Sequence, residues 1–463
     1  MILENPATVK LLSALVEAGQ RGATRELLQQ KTGLGKTTFY RVLKPLLSRG
    51  VVRENDSLYR MPLDNPYNFL FKRLHDIEKI EELHQLDRDR VLSVVDHAKA
   101  HLQSHLVALW LVGSAAHQTM TRDSDLDFLA VTDEEVEYLP SLAYAVHFVT
   151  MTQDEFRARW REKNDFVLTA LRHGLVLEDR GFAQEFYLQP LPVQLQGQEF
   201  HQDAEELEEQ KERIMLFIKS KAPQETAQAL SHYAISIARR MLRVYNVLPA
   251  GKPDLLRASE LLFGAKFRQQ LEQAIDSGKL NRASWTTKLL ERCHQIEEVY
   301  HRFSSHLAYF QEFADLVTAS GERHEALAVQ ALSELSKEKL VSYQGADGLL
   351  EKNRQRYLVE IKSLRGRFTE APLRQLARHL DAAQDDGLRG LLIVTHHRDI
   401  PLLERREAFS ASVWQQAGDL GIELRSTLEL LCALNRSILE PESDSIAEDF
   451  LELRPEPPRP IES

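Results

Sequence analysis

Leu106-Val107-Ala108-Leu109-Trp110-Leu111-Val112-Gly113-Ser114, followed ten residues later by Asp125-Leu126-Asp127-Phe128-Leu129-Ala130-Val131, is the stretch whose reading decides the fold. The first apolar run reads as a buried strand that ends at two small residues. A short helix fits in the gap, and the second run reads as a strand that opens on two carboxylates. Alternation along that strand turns both carboxylates to one face. Two carboxylates beside a turn whose backbone can hold a phosphate are what divalent-metal phosphoryl transfer requires. A second acidic set, Asp347 with Glu360-Ile361-Lys362, lies far downstream.

Composition sets outer limits. A chain of 463 residues predicts three or four domains at roughly 100–200 residues each. No apolar run approaches the ~20 residues of a membrane span, and the first residues lack a basic-then-apolar signal pattern, so no membrane partner is expected. Cys293 and Cys432 stand far apart without metal-ligand spacing, which points to a reduced, cytoplasmic setting. The net charge of −11 argues against a chain coated in nucleic acid. Residues 1–62 depart from that mean, with ten Lys/Arg against five Asp/Glu, or +5.

That basic segment has a pattern of its own. Val9, Leu11, Leu12, Leu15 and Val16 mark a helical face, and Thr24 caps a second helix that Gly33 ends. Phe39, Val42, Leu43 and Leu46 mark a third, with Pro45 inside it. Val51 to Arg60 then reads as a small hairpin. The order resembles the winged helix family of DNA-binding domains over residues 1–62. The resemblance implies that Lys36, Thr37, Thr38, Tyr40, Arg41 and Lys44 on the third helix face DNA and that Arg53 and Arg60 touch phosphates. A protein-interaction or dimerisation module remains the alternative.

Residues 63–105 read as a charged helical connector. From 106 to 199, Gly113-Ser114 and the Ser124-Asp125-Leu126-Asp127 string resemble the minimal nucleotidyltransferase domain of the DNA polymerase β-like superfamily. The resemblance implies a mixed α/β fold that binds a nucleoside triphosphate with Mg²⁺ or Mn²⁺ on Asp125 and Asp127. The third acid that such domains carry on a later strand corresponds here to His147. A neutral imidazole can ligate a metal but adds no negative charge. Arg122 and His117 are candidate phosphate contacts or plain surface residues.

Residues 200–306 read as a helical bundle, with Leu230, Ala234, Ile237 and Met241 on one face of a long helix. Residues 307–436 return to α/β. Asp347, twelve residues, then Glu360-Ile361-Lys362 is similar to the PD-(D/E)xK nuclease superfamily, a restriction-endonuclease-like α/β/α fold. The resemblance implies Mg²⁺ or Mn²⁺ on Asp347 and Glu360 with the Ile361 carbonyl, and Lys362 acting on the attacking water. It also implies a helical Glu, for which Glu325 is the better candidate and Glu322 the other. Gln375 lies where some of these families carry Gln-xxx-Tyr, with His379 in place of the Tyr. Residues 437–463 hold eight Asp/Glu against two Arg and read as a disordered acidic tail. Ile446–Leu453 within it is a candidate docking helix for a protein partner.

These readings combine into a multidomain α/β protein that cleaves DNA with a metal, of the kind used in genome (antiviral) defence or DNA repair, with homo-oligomers an open expectation. Two alternatives stand beside it. One is a nucleotidyltransferase acting on a protein, RNA or small molecule; the other is a non-enzymatic DNA-binding regulator or scaffold.

Overall fold

The computed structural model describes residues 5–452, except 20–21, 56–57, 63–64, 66–67, 121–123, 137–144, 188, 190, 203, 280–284, 344, 365, 367, 386, 397, 399–401, 406–408 and 444. Backbone contacts divide the chain into two units, Met1–Val193 and Gln194–Ser463, where composition predicts three or four domains.

The first unit opens with α1 (Pro6–Ala18), β1 (Ala23–Thr24), α2 (Arg25–Thr32), α3 (Lys36–Ser48), β2 (Arg53–Asn55) and β3 (Leu58–Arg60). Asn5 caps α1 and Thr24 caps α2, each accepting from a first-turn N–H. Gly33, in the left-handed region at φ +66°, ends α2. Pro45 is accommodated within α3, which runs through to Ser48. The three strands pair in the order β1-β3-β2. Leu11, Leu15, Leu28 and Phe39 are fully buried beneath them, so the helical spacing has closed a small core.

Then follow α4 (Asn68–Glu81), α5 (Gln85–Leu102), β4 (Leu106–Val112), α6 (Gly113–Ala116), β5 (Leu126–Thr132), β6 (Val146–Thr152), α7 (Gln153–Arg161), α8 (Asp165–His173), β7 (Leu175–Asp179) and α9 (Phe182–Tyr187). The sheet order is β6-β5-β4-β7. Alternation on β4 sorts its side chains into two cores. Leu109 and Leu111 pack with Val91, Val94 and Ala98 of α5. Ala108 and Trp110 pack with Phe156, Val167, Leu171 and Phe186 on the other face. The segment expected as a connector is thus built in: α5 covers one side of the sheet. Lys72 and Asp76 of α4 form a largely buried ion pair.

The second unit runs α10 (Ala204–Lys219), α11 (Pro223–Val244), α12 (Lys252–Ile275), α13 (Trp285–Ser305), α14 (Leu307–Ala314), α15 (Gly321–Ser336), β8 (Val341–Tyr343), β9 (Ala346–Lys352), β10 (Gln355–Ser363), α16 (Ala371–Ala383), β11 (Leu388–Thr395), α17 (Ala411–Asp419), β12 (Ile422–Ser426), α18 (Thr427–Leu439) and α19 (Ile446–Leu451). Its sheet order is β12-β11-β10-β9-β8. β10, β11 and β12 are parallel, and β9 is antiparallel to β10. Val359 and Ile361 share one core with Leu230, Ile237, Met241 and Leu262 of the bundle. The bundle and the α/β layer are therefore one hydrophobic body. Leu358 and Leu392 face the other way, onto Leu373, Leu376 and Trp414.

The stretch read as a disordered acidic tail from residue 437 carries helical structure as far as Leu451. α18 extends to Leu439, and α19 buries Ile446, Phe450 and Leu451 in the unit's own core. Those apolar groups are spent internally rather than offered to a partner. Fully buried Arg425 secures α19 by donating to the Phe450 and Glu452 carbonyls, both at 2.7 Å, with Glu423 as its counter-charge. Residues 453–463 lie outside the described residues. Among the described residues no helix is long and apolar enough to cross a membrane.

Candidate functional site

In the first unit the site is assembled by strand register. Val112 pairs with Asp127 across the antiparallel β4–β5 ladder, and Asp127 pairs with His147 across the parallel β5–β6 ladder. Gly113 follows directly at φ +68°, and a Cβ there would sit 2.3 Å from Asp127 Oδ2. Only glycine permits both this backbone and this approach. The Thr119 N–H donates to the Ser114 carbonyl at 3.0 Å and closes the turn. Asp125 is exposed just ahead of β5. His147 Nδ1 lies 3.4 Å from Asp127 Oδ1, with the His147 side chain 67% exposed.

Burial raises the Asp127 carboxyl above the usual range; His147 opposes this and Asp125 adds to it. An imidazole therefore occupies the position in register with Asp127 where the sequence reading expects a third acid. Glu155 closes a capping box with Thr152 at the start of α7, and Asp154 there is exposed and faces Arg157 at 3.8 Å. Arg122 lies outside the described residues. His173, which the sequence reading does not select, meets His117 edge-on with ring centroids 5.3 Å apart. Recognising Leu175-Val176-Leu177 as a strand would have brought His173 to this sheet edge.

In the second unit the antiparallel register ends at Gly348 paired with Val359, with Asp347 and Glu360 the next residues on their two strands. The Ile361 N–H donates to Asp347 Oδ2 at 2.6 Å. Glu360 is 2% exposed. Its Oε1 accepts from Lys362 Nζ at 2.6 Å and from Gln375 Nε2 of α16 at 3.0 Å. Two-residue periodicity puts Glu360 and Lys362 on one strand face. Burial raises the Glu360 carboxyl, Asp347 adds to the effect, and Lys362 and His379 oppose it. Burial works against the Lys362 ammonium, but Glu360, Asp347 and Glu325 together raise its pKa.

Gly345, at φ +88°, leads into β9, and a Cβ there would come within 3.0 Å of the His379 ring. Asp347, Glu360, Lys362, Gln375 and His379 therefore gather at one place, with Glu325 close enough to act electrostatically. Glu322 heads the same helix, α15, without a described contact to this group.

Neither site is a ready-made cage for a hard divalent cation: among the described residues no three His, Cys, Asp or Glu side chains converge in that way. Mg²⁺ commonly binds through one or two carboxylates and keeps several waters. Asp347 with Glu360, and Asp125 with Asp127, fit that donor set.

On the N-terminal elements, Lys36, Thr37, Tyr40, Arg41 and Lys44 of α3 are exposed, Thr38 is half-buried, and Arg53 and Arg60 on the hairpin are exposed. Arg25 of α2 donates to the Tyr40 hydroxyl at 3.1 Å.

No curated protein matches the chain. Residues 95–222 match the family model described as a nucleotidyltransferase domain. That span takes in the end of α5, the whole four-stranded sheet and the Gly113-Ser114, Asp125 and Asp127 constellation, so the chain contains a nucleotidyltransferase domain.

Proposed function

We propose that this protein is a metal-dependent deoxyribonuclease of PD-(D/E)xK type, guided to DNA by a winged helix at residues 1–62. One observation carries the reading: Glu360 is buried and held at one oxygen by both Lys362 and Gln375, with Asp347 on the neighbouring strand. A buried carboxylate raised by desolvation and fixed by two partners is costly to stability and typical of a working site.

Asp347, Glu360 and the Ile361 carbonyl would hold Mg²⁺ or Mn²⁺, which supplies charge neutralisation at the phosphate and a more acidic water. Lys362, kept protonated by Glu360, Asp347 and Glu325, balances charge on the scissile phosphate and orients the attacking water. Gln375 donates to the same Glu360 oxygen as Lys362 and so helps fix the carboxylate in place. The test is incubation of the purified protein with plasmid, linear and single-stranded DNA plus either metal. Cleavage should fall by at least ~100-fold in Lys362→Ala, and cleavage that survives would sink the assignment.

A second reading concerns the first unit and is favoured by the family match at residues 95–222. There Asp125, Asp127 and the Gly113-Ser114 turn bind a nucleoside triphosphate. His147, standing where an acid would add charge, makes holding or sensing the nucleotide the stronger use and transfer the weaker one. Incorporation of radiolabelled nucleotide into protein or RNA, lost in Asp125→Ala, would establish transfer.

A further inference from the structure

Helix α16 borders the Asp347, Glu360 and Lys362 group and carries charge of its own. Pro372, Leu373 and Leu376 bury its inner side. Gln375 donates to Glu360 Oε1 at 3.0 Å. The His379 ring, one turn on, stands where a Cβ at Gly345 would meet it at 3.0 Å. Gln375 and His379 thus form one wall of the group. Two arginines, Arg374 and Arg378, are exposed on the same helix, and they are not equivalent.

At about 100° per residue, Arg378 lies about 60° round the helix from Gln375, and Arg374 about 100°. Residues three apart on a helix are neighbours, with Cβ atoms roughly 5–6 Å apart, so Arg378 stands beside the amide that holds Glu360. The two side chains also differ in their partners. Arg374 Nη2 donates to Glu370 Oε2 at 2.6 Å. The described contact of Arg378 engages Nε alone, at 3.4 Å from the Arg374 carbonyl, and leaves both terminal nitrogens for a ligand. Of the acids near this face, Glu370 is engaged by Arg374 and Asp385 by Arg356. Asp381 lies about 120° round the helix from Gln375. A guanidinium stays charged at any working pH and presents a flat fork that matches two phosphate oxygens.

We propose that Arg378 holds the phosphodiester next to the scissile one and so fixes the path of the cleaved strand along α16. The proposal rests on the nuclease reading of the Asp347, Glu360 and Lys362 group. Lys362 faces the scissile phosphate from inside the group, and Arg378 meets the following phosphate at its rim. Arg374, already paired with Glu370, adds little.

The experiment uses the full-length protein with Mg²⁺ or Mn²⁺ and a DNA oligonucleotide whose major cleavage position has been mapped. A series of substrates carries one neutral methylphosphonate at each phosphate flanking that position. Wild type should lose about 10–100-fold in kcat/KM at one flanking position. Arg378→Ala should lose a similar factor on the unmodified substrate and then be indifferent to the methylphosphonate at that position, a non-additive cycle. Arg378→Lys, which keeps the charge without the fork, should recover part of the loss, and Arg374→Ala should stay within about threefold of wild type. Arg378→Ala that cleaves like wild type, or whose loss multiplies with that of every methylphosphonate, would overturn the phosphate contact while leaving the nuclease reading intact. A wild type that cleaves no DNA with either metal would overturn the nuclease reading and this proposal with it.

Discussion

His324 shows what a single buried side chain adds to this protein. It is fully buried on α15, next to Glu325, with Nε2 2.7 Å from the Thr395 hydroxyl and 3.3 Å from that of Thr427. Those partners lie at the ends of β11 and α18, so one imidazole ties three elements of the second unit together. Burial, and then the nearby Arg398, lower its pKa from 6.5 to about 4. The folded state therefore prefers the neutral ring. Its contribution to stability is complete above pH 6.5 and is lost as pH falls through 6.5 towards 4. By linkage, about 2 kcal/mol should disappear between pH 7 and pH 5. Urea unfolding at both pH values, compared between wild type and His324→Gln, isolates the effect. The variant should be less stable at pH 7 and show a slope shallower by about that amount, whereas equal slopes would refute the assignment. Gly113 acts through space rather than charge: its missing Cβ is what lets Asp127 reach the turn.

Among the elements, α4 is the one whose role is hardest to see from its sequence. His75 Nδ1 lies 2.6 Å from the Ser13 hydroxyl of α1. Asp76 accepts from the Val176 N–H at 2.8 Å, and Arg73 donates to the Leu177 carbonyl at 3.0 Å. One helix thus binds the N-terminal elements to β7, beside His173. Its key pair, Lys72 with Asp76, is buried. Asp76→Asn keeps an acceptor for Val176 but strips Lys72 of its counter-charge, which should cost about 3–5 kcal/mol. Adding Lys72→Met should recover most of that loss, and denaturant unfolding of the single and double variants would measure it. A double variant as unstable as Asp76→Asn would show that the charge pair is not the cause.

The same helix marks the limit of sequence reading. Lys72 and Asp76 stand one helical turn apart and look like ordinary surface charges; only tertiary packing buries them. β4, β5 and α11 were legible because long apolar runs and 3.6-residue spacing survive any context. β7 was not, since three apolar residues after Gly174 are too few to separate a strand from the tail of α8. α19 is legible as a short helix at Ile446–Leu453, but its three buried apolar residues among acids and prolines do not show that it packs on its own unit's core rather than on a partner. In the second unit the Asp347, Glu360 and Lys362 spacing was readable, because two-residue alternation alone aligns the last two. The pairing of His147 with Asp127 needed the parallel register, although alignment to an expected third acid had already singled out that histidine.

At the scale of the whole molecule, charge distribution makes a demand that local geometry does not. The chain carries −11 overall while residues 1–62 carry +5, so a polyanion is repelled by most of the protein and drawn to its N-terminal elements. If DNA is the substrate, those elements should govern capture, and the Asp347, Glu360 and Lys362 group should govern the chemical step. Lys36, Arg41 and Lys44 are exposed on α3, and none of them belongs to the Asp347, Glu360 and Lys362 group. Replacing all three with Ala should therefore raise KM for cleavage by roughly 10–100-fold with kcat nearly unchanged. The slope of log affinity against log salt should become shallower by about 0.9 for each phosphate that is no longer neutralised, roughly 2–3 in total. Lys362→Ala should do the reverse, abolishing kcat while making the salt slope shallower by no more than about 0.9, for the single phosphate it faces. Steady-state cleavage and fluorescence-anisotropy binding over a range of about 50–200 mM salt separate the two outcomes. A triple variant whose kcat falls while its salt slope stays fixed would mean that α3 is not where this protein holds DNA.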